Sequence, residues 1–142
     1  MRNGVTFNNR HTFFDFGLLT KKTPVISPPK PKTKLVEVFG SDGVIDLTRS
    51  LTGKVHYQQR QIVCEFVLLG DPEKQNNVYT EVLNHIQGKQ TKITLDCDPE
   101  YYYDGIAEIT KWKPGQFSAT MEITATVEPY KTAKHLNGKK VL

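Results

Sequence analysis

The run from Gln116 to Glu128 constrains the fold more than any other part of the chain. Phe117, Ala119, Met121, Ile123, Ala125 and Val127 fall on one side of an extended backbone, and Ser118, Thr120, Glu122, Thr124 and Thr126 on the other. Successive side chains of a strand point to opposite faces, so this alternation predicts a long antiparallel strand with one face buried. A helix would scatter the same residues around its circumference. The protein is therefore expected to be built on a sheet, against which every other element must pack.

Further strands follow from the same rule. Thr91–Cys97 sets Ile93, Leu95 and Cys97 against Lys92, Thr94 and Asp96, and Tyr102–Trp112 follows an Asp98-Pro99 turn. Pro114-Gly115 then turns the chain into the long strand, which completes a three-stranded meander. Gln61–Leu69 carries Ile62, Cys64, Phe66 and Leu68 on one side and Val63, Val67 and Leu69 on the other. A strand apolar on both sides is expected between two layers. Nearer the start, Val5–Asn8 and Thr12–Phe14 suit a hairpin, and Leu35–Phe39 leads through Gly40-Ser41-Asp42-Gly43 into Val44–Leu47.

One helix is expected. Val78, Tyr79, Val82, Leu83 and Ile86 form a single helical stripe, with Asp71 or Asn77 as the N-cap and Gly88 as the stop. The fold class is mainly β (α+β): an antiparallel β-sandwich or split β-barrel with one α-helix. At 142 residues the chain has the length of one domain with a self-sufficient core.

Charge is distributed unevenly. Residues 21–34 hold five lysines and no acid, together with Pro24, Pro28, Pro29 and Pro31, and the stretch from Lys131 holds four more lysines and no acid. Setting those nine aside leaves ten of the nineteen basic residues against fifteen acids, a body of net −5 between two basic arms. Proline lacks an amide donor and fixes φ, which predicts an extended arm or long loop over residues 20–34 rather than a helix or central strand. A nucleic-acid binder concentrates positive charge on a folded face with aromatics interleaved, and these stretches are proline-rich or terminal instead. No apolar run approaches the roughly 20 residues of a membrane helix, and residues 1–10 lack the apolar core of a secretory signal.

Motifs for chemistry are absent from the sequence. Cys64 and Cys97 sit in alternating runs and are expected as buried free thiols, without a CxxC pair or a histidine at metal-ligand spacing. Asp96, Asp98, Glu100 and Asp104 alternate like a calcium loop but lack its glycine at position six and glutamate at position twelve, which favours a hairpin with acids on its wet side. Tyr101, Tyr102 and Tyr103 suit either a sugar-stacking platform or a subunit contact. His11, His56, His85 and His135 are isolated, and no nucleophile elbow, phosphate-binding loop or dinucleotide fingerprint occurs. Neither catalysis, cofactor nor metal is expected.

Several stretches together carry a family likeness. In order they are Asp15-Phe16-Gly17-Leu18, Glu37-Val38-Phe39-Gly40-Ser41-Asp42-Gly43-Val44-Ile45-Asp46-Leu47-Thr48, Val55-His56-Tyr57-Gln58-Gln59-Arg60, His85-Ile86-Gln87-Gly88-Lys89, Asp98-Pro99-Glu100-Tyr101-Tyr102-Tyr103 with Gly105, and Pro129-Tyr130-Lys131. This series, over roughly residues 5–131, resembles the N-terminal domain of the distal tail protein of siphophages that infect Gram-positive bacteria. The resemblance implies a tail-tube-like fold and a virion location at the distal end of the tail, after assembly in the host cytoplasm. It implies a homohexameric ring that links the tail tube to the tip and host-adhesion proteins, with DNA passing through the lumen unbound. Members usually carry a second domain, often similar to a carbohydrate-binding module. This chain stops at Leu142, shortly after the first domain should end, so host-sugar binding loses its usual candidate.

On that reading residues 1–142 are one ring-forming domain with an arm at 20–34 and a basic tail at 131–142. A ring needs one patch to meet a different patch on the next subunit. Pro24, Pro28, Pro29 and Pro31 in the arm are the expected first patch, and Phe39, Gly40, Asp42 and Gly43 in the glycine-rich turn the second. The alternative for the arm is that it folds back over an edge of its own sheet. Two other functions compete: a small carbohydrate-binding module using Trp112 and the tyrosines, and a basic-armed nucleic-acid-binding domain.

Overall fold

The long alternating run forms the centre of the sheet. A computed structural model describes residues 4–32, 35–37, 44–46, 56–135 and 138–142, with the backbone alone for 35–37 and 44–46. The elements in order are β1 (Val5–Phe7), β2 (Arg10–His11), β3 (Leu19–Ile26), β4 (Leu35–Glu37), β5 (Val44–Asp46), β6 (Arg60–Leu69), α1 (Pro72–Ile86), β7 (Gln90–Leu95), β8 (Tyr101–Lys113), β9 (Ser118–Val127), β10 (Lys131–Ala133) and β11 (Lys140–Val141). The fold is mainly antiparallel β with one helix among the described residues. Its main sheet is a single hydrogen-bonded path, β2-β1-β7-β8-β9-β6-β3, to which β10 and β11 attach beside β8.

The inner face of this sheet is the core. Ile62, Cys64, Phe66 and Leu68 of β6 and Ala119, Met121, Ile123, Ala125 and Val127 of β9 are all buried, and they join Val5, Phe7, Ile93 and Leu95 from the other end of the path in one cluster. Each fully buried large side chain contributes roughly 1.5–3 kcal/mol. Gly105 of β8 sits so close to β9 that a Cβ there would lie 2.2 Å from the Thr126 carbonyl oxygen.

Helix α1 closes that face. The Asp71 carboxylate caps it by accepting the Lys74 N–H at 2.9 Å, and Pro72 occupies the first turn, where its missing amide costs nothing. Of the two N-caps the sequence allows, Asp71 is therefore the one used. Val82 and Ile86 are buried, Val78 and Tyr79 pack half-buried against the core, and Gly88 takes φ +69° just past the end. Buried Gln75, a polar residue that continues the apolar stripe one turn toward the N-terminus, ties the helix to two turns through Gly70 O and the Gly115 N–H.

Several expectations are corrected. Asn8 and Asn9, both at positive φ, make a two-residue turn, so β1 pairs with Arg10–His11 and not with Thr12–Phe14. Residues 12–16 instead form a tight turn, in which His11 O accepts the Asp15 N–H and Phe13 O accepts the Gly17 N–H. Strand β6 has only one buried face: Val63 and Val67 opposite are half-buried, and Leu69 is 54% exposed. Phe117 is 78% exposed because the strand begins one residue later and Phe117 belongs to the preceding bend, its carbonyl accepting the Gly70 N–H. Cys97 is exposed where a buried thiol was expected, since β7 stops at Leu95 and the Asp98 N–H turns back to the Leu95 carbonyl. Cys64 is buried, and both thiols are free.

The two arms are also more ordered than their composition implied. The first part of the arm at 20–34 lies in β3, an edge strand, and the tail at 131–142 includes a short β10–β11 pair that adds to β8. Prolines that exclude a central strand still permit an edge.

Candidate functional site

The margin of the sheet path lies at β3, whose outer side meets no further strand among the described residues. Its register with β6 shifts between Thr20 and Lys22 and again between Lys22 and Val25, the interval that contains Pro24. Bulges, a proline and lysines all prevent an edge from templating an uncontrolled partner strand.

Beyond β3 the chain is held at its root and then leaves the sheet. Ser27 and Gln61 exchange two bonds, Ser27 N–H to Gln61 O at 3.0 Å and Gln61 N–H to Ser27 Oγ at 2.9 Å, while Arg60 Nε donates to Ser27 O at 2.9 Å. Pro31 then forms an antiparallel bridge with Tyr57. Lys32 N–H donates to His56 O and Gln58 N–H to Lys30 O on either side of it. This ladder closes the base of a long connection in which β4 and β5 pair as a hairpin, Leu35 with Asp46 through Glu37 with Val44. Tyr57 rests edge-on against Tyr130, with ring centres 6.1 Å apart. Of the expected contact residues, Pro28 and Pro31 are exposed at this root, Pro29 is half-buried there, and Pro24 is half-buried in the edge strand. Phe39, Gly40, Asp42 and Gly43 lie outside the described residues.

The outer face of the sheet carries a charged row across β3, β6, β9 and β8: Lys22, Glu65, Glu122 and Lys111. Glu65 and Glu122 are directly opposed, an arrangement that repels. Lysines flank the two acids, Lys22 at 3.9 Å from Glu65 and Lys111 at 3.7 Å from Glu122, and the Thr110 hydroxyl donates to Glu122 at 2.9 Å. Pairs this exposed add little stability, but they make the face polar and salt-sensitive.

The acidic turn is taken up by structural bonds. Asp96 accepts from His11 Nε2 at 2.9–3.0 Å and from the Gly4 N–H at 3.1 Å. The other ring nitrogen, Nδ1, accepts from the Phe13 and Phe14 N–H groups, so the proton lies on Nε2 and both sides of the imidazole are committed to the fold. Asp98 takes a 2.5 Å bond from Lys131, which raises the lysine's pKa above its ordinary value. Among the described residues no group of three His, Cys, Asp or Glu is placed to hold a metal ion. Tyr103 is buried, and Lys131 and Lys92 lie over the rings of Tyr101 and Tyr102 at 4.5 and 5.1 Å. Trp112 stacks on Tyr79 at 4.5 Å, so one of its faces is already covered. His85 bonds the Phe7 carbonyl, and exposed His135 lies 4.0 Å from Glu100.

Sequence reasoning missed the His11–Asp96 and Lys131–Asp98 pairs, which join residues 85 and 33 positions apart. No local pattern announces such a pairing. No described helix is long and apolar enough to cross a membrane.

No protein-family model and no curated protein sequence matches the chain. Among solved structures it is similar to the crystal structure of the SPP1 Dit (gp 19.1) protein, a paradigm of the hub adsorption apparatus in phages that infect Gram-positive bacteria. The TM-score is 0.66 at 14% identity, over 94% of this chain and 53% of that one. The chain thus spans about half the length of that protein and shares its fold.

Proposed function

We propose that this chain is a structural component of a long-tailed bacteriophage virion, forming a ring at the distal end of the tail tube that joins the tube to the tip and host-adhesion proteins. The observation that carries this reading is the fold shared with the SPP1 hub protein over 94% of the chain. It agrees with the family resemblance of the ordered sequence stretches, an independent line of argument. Residues 1–142 act on this reading as one ring-forming domain without catalytic activity, and the genome passes through the ring without specific binding.

The root of the connection between β3 and β6 supports the assembly role. A heterologous ring contact needs a projecting element and a receiving one. The Pro31–Tyr57 ladder holds residues 30–32 against 56–58, so the two flanks of residues 33–55 are fixed side by side. Pro28, Pro29 and Pro31 lower the entropy lost when that root is immobilised against a neighbour. The second patch is assigned to the turn with Phe39, Gly40, Asp42 and Gly43, and Pro24 adds to the first patch from the edge strand, where it falls within a register shift of the β3–β6 pairing. The stacked Trp112 and the cation-covered tyrosines weigh against the carbohydrate-binding alternative.

Electron microscopy and light scattering of the purified protein test this. The full chain is expected to give annular particles and a concentration-dependent mass. A variant with residues 33–55 replaced by Asn-Gly, which suits the closed ladder as a two-residue turn, is expected to remain a folded monomer. A full chain that stays monomeric at high concentration and shows no annulus overturns the ring reading.

A further inference from the structure

We propose that the cleft between β1, β7 and the end of β10 binds a single phosphate-class oxyanion, either free or as the phosphoryl group of a small monoester. The cleft is lined by Thr6, the Asn8-Asn9 turn, Lys92, Thr94, Tyr102 and Lys134, with no carboxylate among its lining residues. At about 230 Å³ it falls below the roughly 300–1,000 Å³ of sites for drug-sized ligands, which suits an ion or a very small molecule.

The polar groups there are largely uncommitted. Thr94 is 9% exposed and directly opposes Thr6 across the β1–β7 pair. Among the described residues its hydroxyl makes no hydrogen bond, nor do the hydroxyls of Thr6 and Tyr102, and the Lys134 ammonium has neither a hydrogen bond nor an ion pair. Thr94 lines the cleft without being a buried orphan, so its hydroxyl is reached by solvent there and is free to bond a ligand. Two ammonium groups at the rim select the sign of that ligand. Asp104 pairs with Lys92 across β7 and β8, but the Lys92 ammonium leans over the Tyr102 ring at 5.1 Å and forms no ion pair with the acid. The Asn8 side chain is fixed by accepting the Lys92 N–H at 2.8 Å, which holds the turn beside the cleft in place. Hydroxyls on the floor and ammoniums on the rim offer donors to an acceptor-only ligand, the requirement for a tetrahedral oxyanion. A neutral sugar would leave both charges unanswered. This site is independent of the ring proposal, since it uses residues of the monomer alone.

Calorimetric titration of the intact protein with inorganic phosphate, at constant ionic strength set by chloride, is the test. Saturable one-site binding is expected, weakened about ten-fold by Lys134→Gln and by Thr94→Val, as for loss of a charge-assisted or buried bond. Lys21→Gln, the same charge change on β3, is expected to leave the affinity unchanged. Glycerol 3-phosphate in place of phosphate distinguishes the sources: tighter binding identifies the monoester, equal or weaker binding the free ion. Absence of saturable binding at tens of millimolar phosphate overturns the site. So does equal weakening by Lys21→Gln and Lys134→Gln, and thermal melts of each variant separate lost binding from lost folding.

Discussion

Strand β6 pairs residue for residue with β9 along all ten of its positions, whereas on its other side β3 meets it in register at only five. The two neighbours differ in what fixes them. The register of β6 is held by side chains: a slip of one residue would carry Ile62, Cys64, Phe66 and Leu68 out of the core together. The edge strand has no such lock. Leu19 and Val25 on its outward side are 38% and 64% exposed, and its two register shifts bracket Lys22. Burial thus enforces regularity in the centre, and its absence permits bulges and proline at the margin.

The strongest way to break this comparison is Phe66→Ala. Phe66 is fully buried, and its removal is expected to cost about 3–5 kcal/mol in urea denaturation. A loss below about 1 kcal/mol would mean that β6 is no more constrained than the edge.

A second test uses Cys64, whose thiol is pushed up from 9.0 to about 12 by burial. Between those values the unfolded thiol releases its proton while the folded one keeps it, so the unfolded state binds fewer protons. Stability is therefore whole below pH 9 and is lost as pH rises toward 12, by up to about 1.4 kcal/mol per pH unit. The stability difference between wild type and Cys64→Ala should narrow over that window. At neutral pH a thiol reagent should modify exposed Cys97 at once and reach Cys64 only on unfolding. Rapid labelling of both would remove Cys64 from the locked centre.

The smallest effect sharpens the comparison from the other side. Val25→Ser on the edge is expected to change stability by less than about 0.5 kcal/mol, because the side chain is 64% exposed. A loss above about 1.5 kcal/mol would show that the edge is packed against something, and a neighbouring subunit is the natural candidate.

Much of the fold was legible in sequence because it rests on period. Alternation marked β6, β7 and β9, the turns on either side marked β8, and the helical stripe marked α1 while leaving its start open between Asp71 and Asn77. The same rule overreached at its ends. Phe117 and Cys97 continue the alternating pattern beyond the point where the backbone stays extended, and hydropathy carries no information on where hydrogen bonding stops. The site was less legible. Proline marked the segment at 20–34 as irregular, yet the pairing of residues 30–32 with 56–58 joins positions more than 20 residues apart.

By itself the sequence determined that the chain is an antiparallel β protein with one helix, that β9 has one wet face, and that nine of the lysines cluster in two acid-free stretches. Those properties depend on side-chain alternation and composition, which are local. Only the tertiary structure decided that the outer face of β6 is half-buried, that His11 and Asp96 pin the N-terminal turn, and that Thr6, Thr94 and Lys134 line one cleft. Each of these brings together residues dozens of positions apart, and their meeting depends on how the strands are ordered in the sheet. Strand order follows from the burial of the whole inner face at once, which no single segment encodes.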